Sequence, residues 1–553
     1  MKSRLIFRRL IASSTLMIWL VAHAPGQRIG LVDTAEQAGL MLTIFGAAVG
    51  DQLKALAAGD FNGDGIGDML VGTHLANNLE IQRIDAGVAY IVLGRRDILP
   101  IETRDPGEPA ELQPDATFFG AENDDRMGVS TTSGDINGDG IDDIVFGAPQ
   151  ADGPGNGRLN AGEVYIFYGS RDLKPGSIRD VAGILGPVPD VTILGEERND
   201  TLGAAVALGQ LNGRGGLDLI IGAPGTFGPQ NTRASAGTVY IIFDVAERGS
   251  VIDLADPFTG ADVVIHGAET LDGLGGAVAA GDLNQDGFDD VVVSAPLADG
   301  PANSRRDAGE VYVLFGGARL VNTPIRDGAG FFGPMPELTI YGQDARDLFG
   351  GSLLVGDVSG DQIDDLIIGA VLPPINTTTA SIGGDGPDNG RADAGEVYVI
   401  RGSRALASEF VRDMAAQVAR PADVTLFGGD AGDVFGSSLR VGDVSGDGVN
   451  DLIISAPRAD GLDNRRLNVG EVYAFFGGPR LFDGLRRDAA GQVGRAPELT
   501  LLGPTAGVNF GLTLAMIDLD ADGALDFVVG APLLNGPENL RATAGAVLVV
   551  SGD

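Results

Sequence analysis

The chain has 553 residues, 38 Lys and Arg against 76 Asp and Glu, a formal net charge of −38 and 44% hydrophobic residues. The apolar share suits a folded protein, and the acidic excess argues against a nucleic-acid partner, because phosphate binding needs a basic face. With no cysteine, disulfides, thiolate zinc sites and thiol nucleophiles are excluded, and histidine chemistry is limited to His23, His74 and His266.

Lys2, Arg4, Arg8 and Arg9 precede an apolar run from Leu10 to Val21 that ends in Ala22-His23-Ala24. This order predicts a secretory signal peptide over residues 1–26, cleaved after Ala24 or Gly26. The run of about 12 residues is short of the roughly 20 that span a bilayer. The expected localisation is secreted, extracellular or at the cell surface, with no membrane span.

Residues 27–553 read as a single domain of seven repeats. The phrase Gly-Asp-x-Asn-Gly-Asp-Gly-x-x-Asp, an apolar run and Gly-Ala-Pro recurs, led by Asp60, Asp135, Gln210, Asp282, Asp357, Asp443 and Asp518 at spacings of 75, 75, 72, 75, 86 and 75. Each unit holds four short Val/Ile/Tyr/Phe runs between Gly, Asp, Asn and Pro turns; in the second they are Thr117–Gly120, Val129–Ser133, Ile144–Gly147 and Glu163–Tyr168. Such runs are strands, and four strands repeated radially predict an all-β, seven-bladed β-propeller of four-stranded blades. Leu42–Gly46 matches the last strand of a unit and Gly545–Gly552 a third strand, so the N-terminal strand is expected to complete the C-terminal blade.

The acidic loops predict calcium sites. Side-chain oxygens at positions 1, 3, 5 and 9, with the backbone carbonyl of position 7, can wrap one hard cation, and calcium accepts 6–8 such ligands in flexible geometry. Asp closes the loop at position 9 and strand residues follow, so these are hairpin loops rather than helix–loop–helix sites. The expected ligand sets are Asp60, Asn62, Asp64, Ile66 and Asp68; Asp135, Asn137, Asp139, Ile141 and Asp143; and Asp282, Asn284, Asp286, Phe288 and Asp290. Ser takes position 3 in Asp357, Ser359, Asp361, Ile363 and Asp365 and in Asp443, Ser445, Asp447, Val449 and Asp451; the last set is Asp518, Asp520, Asp522, Ala524 and Asp526. The third copy, Gln210, Asn212, Arg214 and Asp218, is broken, and Arg214 is expected to stand in for the ion. Six calcium ions per chain follow, in a structural rather than catalytic role.

Phe-Gly at Phe349-Gly350, Phe435-Gly436 and Phe510-Gly511, and Gly-Ala-Pro at 147–149, 222–224 and 530–532, flank these loops. The pattern resembles the FG-GAP repeat of integrin α-subunit β-propellers over about residues 40–552. The resemblance implies a seven-bladed propeller with calcium in hairpin loops on one face, in a family associated with adhesion and ligand binding.

Other recurring residues read as scaffold. An Arg precedes each Ala-Gly or Val-Gly turn (Arg83, Arg158, Arg233, Arg305, Arg391, Arg466, Arg541), and another turn carries Asp51, Asp125, Asp200, Asp272, Asp347 and Asp433, with Val508 in the seventh unit. They are expected to pair as a bracing ring. The fifth unit differs by a longer loop, Leu372 to Arg391, a candidate partner contact. The function expected is an extracellular binding or adhesion module, not an enzyme, with a protein or polysaccharide ligand. A secreted hydrolase or lyase with its site at the propeller mouth is the alternative.

Overall fold

The computed structural model describes residues 19–24, 27–28, 40–53, 55–77, 83–96, 102–104, 113–256, 260–371, 383–415, 421–461, 464–536, 539 and 541–552. Each acidic loop joins the two innermost strands of a blade. Blade 1 runs outward through Ala55–Gly59, Asp68–Thr73, Val88–Val92 and Ala116–Phe119, all antiparallel. Blades 2 to 6 repeat this order. Blade 7 combines Leu514–Ile517, Asp526–Ala531 and Ala546–Val550 with Leu40–Phe45 from the other end of the chain, Ile44 lying opposite Val547 and Phe45 opposite Ala546. Each innermost strand contacts those of both flanking blades, including Leu514–Ile517 against Ala55–Gly59, so seven blades surround one axis.

The second strand explains the apolar runs. All six of its residues are buried in every blade. Both faces pack on neighbouring blades, so the strand reads as a continuous apolar run instead of alternating. Between blades 1 and 2, Phe118, Phe146 and Phe167 stack with ring centroids 5.1 to 6.1 Å apart; each such burial contributes about 1.5–3 kcal/mol. The Ala-Gly turn needs its glycine for space. Gly395 has φ 85°, and a Cβ there would stand 2.1 Å from the Phe435 carbonyl oxygen.

Among the described residues every blade carries a strand beyond the expected four, and in six of them it is parallel. A short segment from the next blade's linker lies parallel on the outermost strand: Ser177–Asp180, Val251–Asp253, Ile325–Asp327, Val411–Asp413 and Arg486–Asp488 on blades 1 to 5, and Glu102–Arg104 on blade 7. It covers an edge that would otherwise expose unpaired amides. On blade 6 the backbone of Trp19–Ala24 pairs antiparallel with Leu499–Leu502. Most of the expected signal peptide lies outside the described residues, as does 372–382 of the fifth-unit loop.

These strands correct the expected arginine pairing. Arg83, Arg158, Arg233, Arg305 and Arg391 bind Asp180, Asp253, Asp327, Asp413 and Asp488 at 2.6–2.7 Å. The turn aspartates Asp51, Asp125, Asp200, Asp272 and Asp433 accept the amides of Ala48, Glu122, Glu197, Glu269 and Asp430 in their own turns, and the Arg541 charge acts on Asp51 as well. Burial pushes most of this group up, Asp125, Asp200, Asp272 and Asp347 to about 7 and Asp433 to about 8.

Candidate metal loops

All seven loops stand on one end of the ring, because each links a first strand to a second. Their internal bonding follows from short acidic side chains folding back on the chain. In the second loop Asp135 Oδ1 accepts the Asp139 amide at 3.0 Å and Oδ2 the Gly140 amide at 2.9 Å, while Asn137 Oδ1 accepts the Asp139 amide at 2.9 Å and Asp139 Oδ1 that of Ile141 at 2.9 Å. Loops 1, 4, 5, 6 and 7 repeat the bond from position 6 to Asp60, Asp282, Asp357, Asp443 and Asp518. Gln362, where the others carry Gly, keeps that geometry at φ 67°. In the seventh loop the carboxylate oxygens of Asp518, Asp520 and Asp522 all lie within 4.8 Å of one another.

The position-9 aspartates have a second task. Asp143 Oδ2 accepts the Ile136 amide at 2.9 Å and Oδ1 the Gly169 amide at 2.8 Å, tying the loop to the end of the third strand. Asp68, Asp290, Asp365, Asp451 and Asp526 do the same. So does Asp218 of the broken loop, which accepts from Leu211 and Asp244. Desolvation, aided by the other loop carboxylates, raises Asp68 to about 7 and Asp290 to about 8. A cation beside them would relieve that cost, and the donor set is oxygen throughout, so the residues fit calcium. Loops also join blades: the amides of Asp60 and Asp282 donate to Asp142 and Asp364, at position 8 of the following loop, at 2.8 and 3.0 Å.

In the third loop the side chain at position 1 bonds within the loop. Gln210 Nε2 donates to the carbonyls of Gly215 and Gly216 at 3.3 and 3.1 Å. Gly216 occupies position 7, so a neutral donor sits on the carbonyl that is expected to face a cation in the other loops. Arg214 lines a cavity together with Asn212 of the same loop, Asp244, Glu247, Arg248 and Asp262.

On the opposite end, each blade's third strand offers a tyrosine or its substitute. Tyr165, Tyr312 and Tyr473 donate to the glutamate two residues earlier, Glu163, Glu310 and Glu471, at 2.5–2.9 Å, and Tyr398 to Glu396. Blade 3 has Thr238 in that place, and Tyr240 donates instead to Glu196 at 3.0 Å. His266 lies half-buried beside Thr238, its pKa lowered chiefly by desolvation. No sequence argument singled out this arrangement. Its signal was departure from the repeat at positions far apart in the chain.

Residues 127–167, 274–314 and 435–475 match the FG-GAP repeat, each spanning the three inner strands and acidic loop of blades 2, 4 and 6. Integrin alpha pat-2 of Caenorhabditis elegans is 30% identical over 256 residues, 44% of this chain and 18% of that protein. Integrin alpha-V of Gallus gallus is 31% identical over 255 residues, 45% of this chain and 20% of that protein. The phosphatidylinositol-glycan-specific phospholipase D of Rattus norvegicus is 25% identical over 483 residues, 84% of this chain and 50% of that protein. The chain thus spans between about a fifth and a half of the length of these relatives. Three matched FG-GAP repeats in a ring of seven blades, with integrin alpha chains among the relatives, make the chain similar to integrin-α-like FG-GAP β-propellers.

Proposed function

We propose that the chain is a secreted calcium-binding propeller acting as an extracellular binding or adhesion module, its calcium structural. The observation that carries calcium is the exchange at Gln210: where the acidic set is lost, a side-chain amide donor lies on the position-7 carbonyl. A site that takes a cation in six copies and a hydrogen-bond donor in the seventh needs positive potential for stability, not a Lewis acid for chemistry. The links from Asp60 to Asp142 and from Asp282 to Asp364 would pass that stabilisation between blades. A binding role is supported by the integrin relatives and by the recurring acidic and basic side chains, which are engaged in holding turns, loops and fifth strands. Among the described residues no helix is long and apolar enough to cross a membrane.

The test is adhesion of cells and matrix from the native surroundings to the immobilised chain, in calcium and in chelator, beside a turnover screen on acidic polysaccharides. Retention in calcium that chelator abolishes, without turnover, is expected. Turnover, or equal retention in chelator, contradicts the reading.

A further inference from the structure

The third repeat departs from its neighbours at five positions that line one cavity of about 370 Å³ on the end of the ring opposite the acidic loops. Two departures open it. Thr238 stands where blades 2, 4, 5 and 6 carry Glu163, Glu310, Glu396 and Glu471, so the longer side chain is missing. Glu196, where the second and fourth repeats have Ala121 and Ala268, supplies Tyr240 with the displaced carboxylate. Two more furnish the wall with polar atoms. Thr226, in place of Ala151 and Ala298, donates to Thr238 Oγ1 at 2.7 Å, and Thr238 Oγ1 lies 3.4 Å from His266 Nδ1. The fifth removes a loop staple: Asp152, Asp299, Asp385 and Asp460 each accept the amide eight residues on, but the third repeat has Phe227, which lines the cavity and is 43% exposed. Phe332, from the fifth-strand linker, lines it too and is also 43% exposed.

We infer that this cavity binds one uncharged sugar unit of a glycan, a step that rests on the binding-module reading. Half-exposed phenyl rings take the C–H faces of a sugar ring, and carboxylate, hydroxyl and imidazole groups exchange hydrogen bonds with its hydroxyls. Among the described residues no Lys or Arg lines the cavity, so a uronate, sulfate or phosphate would face the carboxylates of Glu196, Glu197 and Asp200. An amine is disfavoured as well. The guanidinium of Arg233 already lies over Phe332, 5.6 Å from the ring centroid, and Arg158 already acts on Glu196. The volume is at the small end of ligand cavities, about 300–1,000 Å³, which suits a single ring.

The experiment is calorimetric titration of the whole calcium-loaded chain with neutral gluco-, manno-, galacto- and N-acetylglucosamine hexamers, with oligogalacturonate and spermidine as charged controls. The key variant, Glu196→Ala/Phe227→Asp/Thr238→Glu, gives the cavity wall the side chains of the second repeat at those positions; His266→Leu, matching Leu194, is a second variant should the first fail to fold. At least one neutral hexamer is expected to bind, with at least a tenfold loss in a folded variant and no binding of oligogalacturonate. Binding equal in wild type and variant, binding of only a charged control, or no hexamer binding at all would overturn the inference. In the last case calcium-dependent adhesion would still stand, which separates this failure from failure of the module reading.

Discussion

Arg233→Ala tests the brace between blades 3 and 4. In the native ring the guanidinium meets Asp327 at 2.6 and 3.0 Å and also donates to the Gly267 carbonyl at 2.6 Å. The Asp327 side chain is wholly buried and that of Arg233 is 11% exposed. Removing one partner of a buried pair costs about 3–5 kcal/mol. Asp327 would keep the amides of Ala329, Phe331 and Phe332, which sets the expectation near the lower end, about 3 kcal/mol. The assay is urea unfolding followed by circular dichroism, with Arg306→Ala as the exposed control. That residue is 75% exposed in its pair with Asp307, and its loss should cost less than about 1 kcal/mol. The double variant Arg233→Ala/Asp327→Asn should recover part of the loss, since no buried charge is left alone and the Asn carbonyl can still accept the Phe331 and Phe332 amides. Equal, sub-kilocalorie effects for Arg233→Ala and Arg306→Ala would refute the idea that the fifth strands are held by these pairs.

Three further outcomes follow. Asp125, Asp200, Asp272 and Asp347 are raised to about 7 and Asp433 to about 8, mainly by desolvation. Their stabilisation is therefore full below the unfolded carboxylate pKa near 4 and lost as pH rises through 7–8. Chelated protein should melt higher at pH 5.5 than at pH 8, and Asp433→Asn should reduce that difference; a metal-free melt that rises with pH would contradict the assignment. Deleting Leu40–Phe45 removes the outer strand of blade 7, and one large cooperative loss in melting temperature is expected, whereas a small shift would count against a closed ring. Finally, Gln210→Asp/Arg214→Asp rebuilds the acidic set beside Asn212 and Asp218 and should add one bound calcium by elemental analysis; an unchanged count would show that positions 1 and 5 do not decide binding.

The ring was legible because a 75-residue period and two-sided apolar strands leave few ways to bury both faces. The fifth strands were not. Three-residue runs such as Ile325–Asp327 are too short to signal a strand, and they form only against an edge supplied by the preceding blade. That omission also misdirected the arginines: with Asp180 and Asp327 unplaced, the turn aspartates looked like their partners, although burial and their own turn amides had already claimed them. In the acidic loops, sequence placed the oxygens but not the second duty of position 9, since the bond from Gly169 to Asp143 spans 26 residues. The third loop was readable as broken, but only geometry showed Gln210 on the position-7 carbonyl. The blade 3 cavity was hidden for a related reason. Glu196, Thr226, Phe227, Thr238 and His266 are scattered over 70 residues, and each looks ordinary until the strands set them side by side.

The most direct test of calcium as the brace of six hairpin loops is elemental analysis of the dialysed chain combined with thermal melting in calcium and in chelator. Sites that bind the folded chain alone stabilise it by about 2.7 kcal/mol each at 100-fold saturation. Six calcium ions per chain and a large fall in melting temperature on chelation are expected. No bound calcium, with the same melt in both conditions, would contradict it.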